Sequence, residues 1–249
     1  MALNTEKNMY TVVFACIMVI VVGSLLAYLA MGLKPRIEEN ERFEKQQNIL
    51  YAMGVNENEG EGSVNFIPTT EVESVFTQFI TEQLVISGGE ITKDDEAYLI
   101  DMKKQLDALK RGNPARLPVF IGEKDGKKYH IIPMYGKGLW DAIWGFVALD
   151  DQLIVQGIYF DHKQETPGLG ANIKMRYFMD DFIGEQILDG ERYVGIAVVK
   201  GNNDPLNNIK DDNEVDALAG ATITGNGVSA MIRESVNLYR NYFESIRSN

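Results

Sequence analysis

The stretch "IWGFVALDDQLIVQGIYFDH", residues 143–162, holds two runs of apolar and aromatic residues separated by Asp150-Asp151. Runs of this length, rich in Ile, Val, Phe and Tyr and broken by an acidic pair, read as two strands of a hairpin. The stretch ahead of it, "LPVFIGEKDGKKYHIIPMYG" (117–136), repeats the form around Asp125-Gly126, a dipeptide suited to tight hairpin turns. "ERYVGIAVVKG" (191–201) supplies a further strand. Helical patterns flank the block. One is expected over residues 70–84 and another over 94–111, where Leu99, Met102, Leu106 and Leu109 recur at spacings of 3, 4 and 3 before Gly112. A last helix is expected over 227–246, with Val228, Met231, Ile232, Val236, Tyr239, Phe243 and Ile246 on its apolar face. Strands grouped mid-chain between helices predict an α+β domain with a largely antiparallel sheet flanked by helices. No GxGxxG follows a strand, so a Rossmann domain is not expected.

Residues 9–33, "MYTVVFACIMVIVVGSLLAYLAMGL", carry no charge over 25 positions. At a rise of about 1.5 Å per residue such a helix covers a hydrocarbon core of about 30 Å. The run exceeds the ~7–15 residues of a signal-peptide core, and it continues 17 residues beyond Cys16, which argues against a lipoprotein cysteine. A single N-terminal transmembrane helix followed by a soluble domain is therefore expected. The chain divides into a tail (1–8), a membrane helix (9–33), a charged stalk helix (34–55), a helical subdomain (56–118) and a strand-rich domain (119–249). "NENEGEGSVN" (56–65) reads as a solvated loop.

The formal charge of −12 lies entirely beyond the span, because Glu6 and Lys7 are the only charged residues before Lys34. An acidic body argues against nucleic acid as a partner, since binding a phosphate backbone needs basic surface. Lys34, Arg36, Arg42 and Lys45 outnumber Lys7 beside the span, which by the positive-inside rule would put the body in the cytoplasm. Long translocated domains follow that rule poorly. One cysteine, inside the span, excludes an intrachain disulfide and a cysteine-ligated metal or iron–sulfur centre in the body. Only His130 and His162 are present, with no CxxCH, so a c-type haem is excluded and no metal site is expected. Redox chemistry here would need an organic cofactor.

Three stretches have the composition of a binding site. "DALAGATITGNGV" (216–228) places Gly220, Ala221, Thr222 and Thr224 at a helix start, where unpaired amides and the dipole favour an anion. It is not a phosphate loop of the lysine-containing kind, because Asn226 stands where the lysine would be. Thr224 reads equally as a helix cap. "HKQETPGLGANI" (162–173) makes a tight turn from Thr166, Pro167, Gly168, Leu169 and Gly170, with Glu165 beside it. His162 reads as a polar strand end. "YGKGLWDAIWGFVAL" (135–149) sets Trp140 and Trp144 among Gly136, Gly138 and Gly145, a composition suited either to a planar ligand or to a core. No serine or histidine has the companions of a nucleophilic triad, and no catalytic residue is assigned.

Together these stretches resemble a known family. "DALAGATIT" is similar to the D-x-x-[ST]-G-A-T-x-[ST] signature of proteins that carry FMN on the last Thr through a phosphoester, with Ala219 replacing the expected hydroxyl residue. "ETPGLG" resembles a turn of the same FMN-binding domain. "GKGLWDAIWGFVAL", and "NILYAMGV" after the span, resemble the C subunit (NqrC) of the sodium-translocating NADH:quinone oxidoreductase. The G subunit of the Rnf ferredoxin-oxidising complex is a close alternative, and a non-redox extracytoplasmic sensor domain a distant one.

The resemblance implies covalent FMN at Thr224 within the domain 119–249, installed from FAD by a separate magnesium-dependent flavin transferase. It implies an electron relay without acid–base residues of its own, in a six-subunit complex of the cell inner membrane that couples NADH oxidation and quinone reduction to sodium export. It places the soluble domain on the periplasmic side, against the charge count. By the same token Thr224 belongs to a loop open to the transferase, and Asp216 serves either that enzyme's metal or the turn. Leu139, Trp140, Thr166 and Leu169 are the candidates to enclose the flavin ring, and Lys200 to offset its charge or that of the phosphate.

Overall fold

A computed structural model describes residues 8–60, 62, 64–201, 204 and 207–247. All but one residue of the expected tail lies outside them. The exception, Asn8, opens helix α1, Asn8–Ala52, an unbroken 45-residue element that passes through Pro35. Residues 9–33 and the first part of 34–55 are therefore one helix, and among the described residues it is the one helix long and apolar enough to cross a membrane. Met1–Arg42 and Phe43–Asn249 are two compact units.

In the second unit the end of α1 turns from polar to apolar, and Ile49, Leu50 and Ala52 have no exposed surface. A six-stranded antiparallel sheet dominates this unit, in the order β2-β1-β3-β4-β5-β6. Its strands are β1 Ile80–Ser87, β2 Glu90–Lys93, β3 Leu117–Lys124, β4 Lys127–Lys137, β5 Ala142–Leu149 and β6 Val155–His162. The two hairpins foreseen at 117–136 and 143–162 are four consecutive strands of it, β3 to β6, with β6 at the edge. Asp125 and Gly126 take φ of +53° and +71°, the paired positive values of a tight hairpin turn. At the second turn Asp150 Oδ1 accepts from the amides of Gln152 and Ile154, at 2.9 and 3.0 Å.

The short helix α2, Val72–Phe79, precedes β1, and α3, Met102–Lys110, precedes β3. After β6 come a 3₁₀ turn at Gly170–Lys174, helix α4 Arg176–Met179, and the short strands β7 Leu188–Asp189, β8 Arg192–Tyr193, β9 Ala197–Val199 and β10 Glu214–Asp216. The chain closes with α5 Thr222–Leu238 and α6 Arg240–Arg247. β9 and β10 pair in parallel, apart from the main sheet.

Strand alternation gives the sheet two buried faces. Phe120, Phe146 and Tyr159 lie on one, where Tyr159 meets Tyr51 and Phe66 at ring separations of 5.6 and 5.7 Å. Ile132, Val147, Ile158 and Phe160 lie on the other, where Phe160 packs on Phe178 and Phe182. Helix α5 covers this second face so closely that a Cβ on Gly136 would sit 2.7 Å from Met231 Cβ.

Three helix boundaries differ from expectation. The helix foreseen at 70–84 stops at Phe79, and Ile80–Ser87 is strand β1. The turn at Gly88-Gly89, with φ of +59° and +90°, lets this segment pair with β2 on one side and β3 on the other. A sheet edge competing for "ITEQLVIS" thus overrides its mild helical pattern. The helix foreseen at 94–111 begins only at Met102, because Asp101 caps it by accepting from the Lys104 amide at 3.2 Å, which leaves Leu99 in a separate 3₁₀ turn. The last helix starts five residues early, at Thr222, and breaks at Tyr239. Its glycines do not make turns. Gly225 lies against Val198, and Gly227 is pressed on the Lys137 carbonyl, so both are helical residues at close packing contacts.

Candidate functional site

One end of the sheet gathers the three candidate stretches. Residues 138–141 link β4 to β5, with the Gly138 amide donating to the Asp141 carbonyl at 2.9 Å. The turn after β6 places Pro167 ahead of Gly168, whose φ of +76° is the order of a type II turn. Leu169 and Ala171 both return amide bonds to the Thr166 carbonyl at 3.1 Å. The third part is the first turn of α5.

Between them lies a cavity of about 260 Å³. Leu139, Glu165, Thr166, Leu169 and Gly170 line it from the two loops, and Gly220, Ala221, Thr222, Ile223 and Thr224 from the helix start. Its floor is a pair of buried oxygens. The Thr224 hydroxyl donates to Glu165 Oε2 at 2.6 Å, with Thr224 1% and Glu165 4% exposed. Glu165 Oε1 accepts from the Trp140 backbone amide at 3.0 Å. The Glu165 amide in turn donates to His162 Nδ1 at 3.2 Å, so the histidine fixes the turn that carries the carboxylate.

Two glycines make room for that carboxylate. A Cβ on Gly138 would lie 2.5 Å from Oε1, and a Cβ on Gly170 would lie 2.6 Å from Oε2 and 2.5 Å from Thr224 Oγ1. Neither space would accept a side chain. Gly220, at φ +71°, brings the chain to the helix start just past Leu169.

The mouth is apolar and exposed. Leu139, Leu169 and Ile223 border it, and Trp140 stands beside it with its indole Nε1 donating to the Thr166 hydroxyl at 3.1 Å. Trp140 is itself 64% exposed, so with Leu139, Leu169 and Ile223 it leaves an apolar surface at the mouth.

Most of the expected residues therefore meet. Gly138 and Trp140 back the carboxylate from just behind the cavity wall, and Pro167 and Gly168 shape its turn. Lys200, after β9, is exposed and is not among the lining residues. Ile223 was absent from the expected set; as the residue between two signature threonines it had no motif role to reveal it. Thr224 is not on an open loop. It belongs to the buried face of α5 with Val228, Met231, Ile232 and Ser235, and its hydroxyl is reached through the cavity. Nor does it cap the helix, since Ala221 holds that place and the hydroxyl is committed to Glu165.

The arrangement fits an anionic group joined to a larger apolar one. Helix α5 offers first-turn amides whose carbonyl partners are missing. The cavity is below the ~300 Å³ usual for a whole organic ligand, so it suits one end of a ligand whose remainder rests on the apolar mouth.

Residues 138–237 match the model of the FMN-binding domain family. The chain is 33% identical to the C subunit of the Na(+)-translocating NADH-quinone reductase of Yersinia pestis over 243 residues, covering 90% of this chain and 87% of that protein. The corresponding subunit of Pseudomonas aeruginosa is 30% identical over 246 residues, with 92% and 91% covered. Among solved structures, the same subunit from Parabacteroides distasonis is similar with a TM-score of 0.70 at 30% identity, over 85% of this chain and 96% of that one. With such relatives along nearly its whole length, the chain belongs to the NqrC family, the C subunits of the Na(+)-translocating NADH-quinone reductases.

Proposed function

We propose that this chain is a membrane-anchored flavoprotein subunit of a sodium-translocating NADH:quinone reductase, carrying FMN through a phosphoester to Thr224 Oγ1. The observation that carries the reading is the Thr224 hydroxyl itself, buried in the first turn of a helix yet facing a cavity with an apolar mouth. The first-turn amides of α5 would hold the FMN phosphate, and Leu139, Trp140, Leu169 and Ile223 would hold its ring. Gly220 and Gly170 keep the approach clear. FMN supplies electron transfer; the protein holds it, shields one end from water and needs no acid–base group for turnover.

Residues 9–33 anchor the chain in the inner membrane, 34–55 form the stalk, and 119–249 form the flavin domain on the periplasmic side. The other subunits of the complex, six in all, are its partners, and a flavin transferase acting with FAD loads it. The whole-length match to NqrC relatives supports this assembly over an Rnf-type one.

The test is a denaturing gel of protein made with the transferase. A fluorescent band in the wild type and none in Thr224→Ala is expected. A dark wild-type band would remove the covalent linkage, and a fluorescent variant would move it to another residue.

A further inference from the structure

Every atom of the Glu165 carboxylate is committed, and one commitment is to the atom that must react. Oε2 lies 2.6 Å from Thr224 Oγ1, Oε1 is held by the Trp140 amide, and Gly138 and Gly170 lie where a Cβ would displace the two oxygens. No lysine or arginine pairs with Glu165 among the described residues. A buried carboxylate without a cation, hydrogen-bonded to a hydroxyl through one oxygen and held by a backbone amide through the other, has the geometry of a base for that hydroxyl.

We propose that Glu165 is the base that takes the Thr224 proton when the flavin phosphoester forms, a role that rests on the attachment proposed above. Thr224 Oγ1 bonds to the phosphorus on the FMN side of a flavin dinucleotide. The pyrophosphate P–O bond breaks, AMP leaves with that bridging oxygen, and the hydroxyl proton passes to Glu165 Oε2. Nothing is oxidised or reduced. A threonine hydroxyl is a poor nucleophile without such help. This chain would thus bring half of its own modification chemistry to the transferase, which supplies the dinucleotide and the metal.

The experiment follows the rate of FMN incorporation by purified transferase with FAD and Mg2+, for wild type and Glu165→Gln across pH 6–9. The amide keeps the shape and an acceptor for the hydroxyl but cannot take its proton. We expect Glu165→Gln to label at least ~100-fold more slowly at pH 7, the usual scale of general-base assistance, with the ratio narrowing as pH rises. Taking the ratio at each pH cancels the transferase's own pH dependence. Incorporation within threefold of wild type, with the same profile, overturns the proposal. Circular dichroism checks the fold of the variant. Should the amide not fold, Glu165→Ala is assayed with added formate: restoration by formate and not by formamide supports the base, and equal or no restoration overturns it. Unlabelled wild type, or labelled Thr224→Ala, instead overturns the attachment reading before Glu165 is in question.

Discussion

Glu165 and Glu185 are both buried, at 4% and 0% exposure, and the protein treats them in opposite ways. Glu165 has a donor for each oxygen, a backbone amide and a hydroxyl, with glycines shaped around it. Glu185 has an amide and a lysine crowded on one oxygen: Asn207 Nδ2 donates to Oε1 at 3.1 Å and Lys210 Nζ stands 3.5 Å from it. Its Oε2 has no partner among the described residues. Burial pushes the Glu185 carboxyl from 4.5 up to about 7, although Lys210 and Asn207 pull the other way. Two donors in good geometry make a carboxylate a tool. An unpaired oxygen makes it a liability that varies with pH.

The severest way to break the contrast is Gly170→Ala. The added Cβ would sit 2.5 Å from Thr224 Oγ1 and 2.6 Å from Glu165 Oε2, prising the pair apart while leaving both side chains in the sequence. FMN incorporation should fall by about 100-fold, as expected when a general base loses its proton donor. Overpacking should cost about 1–3 kcal/mol of stability. Gel fluorescence and a thermal melt measure the two effects, and a variant that labels at the wild-type rate would show that the close contact has no part in loading.

Glu185→Gln tests the other half. Between pH 4.5 and about 7 the unfolded chain releases this proton while the folded chain keeps it. The folded state binds more protons there, so stability falls as pH rises through that window and the full penalty applies above it. The amide removes this slope. At pH 8 the variant should be more stable by roughly 3 kcal/mol, or about 10 °C in melting midpoint for a domain of this size. At pH 4 the two proteins should melt alike. A variant less stable than wild type at pH 8 would mean that the Lys210 pairing outweighs the burial of charge.

These two carboxylates also mark how far the sequence could be read. The four strands β3 to β6 were legible because each run is apolar, β-branched and closed by turn residues. Strand β1 was not, because "ITEQLVIS" lacks a clean alternation and becomes a strand only where β2 and β3 offer it partners. At the site, the signature threonine and the ETPGLG turn were legible as residues, while their union was not: Glu165 and Thr224 are 59 positions apart, and only the fold sets them at 2.6 Å. The burial of Thr224 did leave a trace. Spacings of 4, 3 and 4 from Thr224 through Val228 and Met231 to Ser235 continue the apolar stripe of α5 back into the glycine segment. Gly225 and Gly227 hid it by looking like a turn, since sequence cannot tell a glycine that bends the chain from one that admits a neighbour. Glu185 left no trace, because its partners Asn207 and Lys210 come from a later loop with no periodicity.

The smallest expected effect is the most discriminating about what positions Glu165. Trp140 reaches the site twice, through its backbone amide to the carboxylate and through its indole to the Thr166 hydroxyl. Trp140→Phe removes only the second bond, and the ring is largely exposed, so the loss in stability should be about 0.5–1.5 kcal/mol at most. Incorporation of FMN should stay within about twofold of wild type, since the amide that holds Oε1 is untouched and a twofold change is under ~0.5 kcal/mol of barrier. A loss as deep as that of Gly170→Ala would mean that the indole, by pinning Thr166, holds the whole 165–170 turn in place. The carboxylate would then owe its position to a surface side chain, and the contrast with Glu185 would rest on the loop as a unit and not on the two donors that touch it.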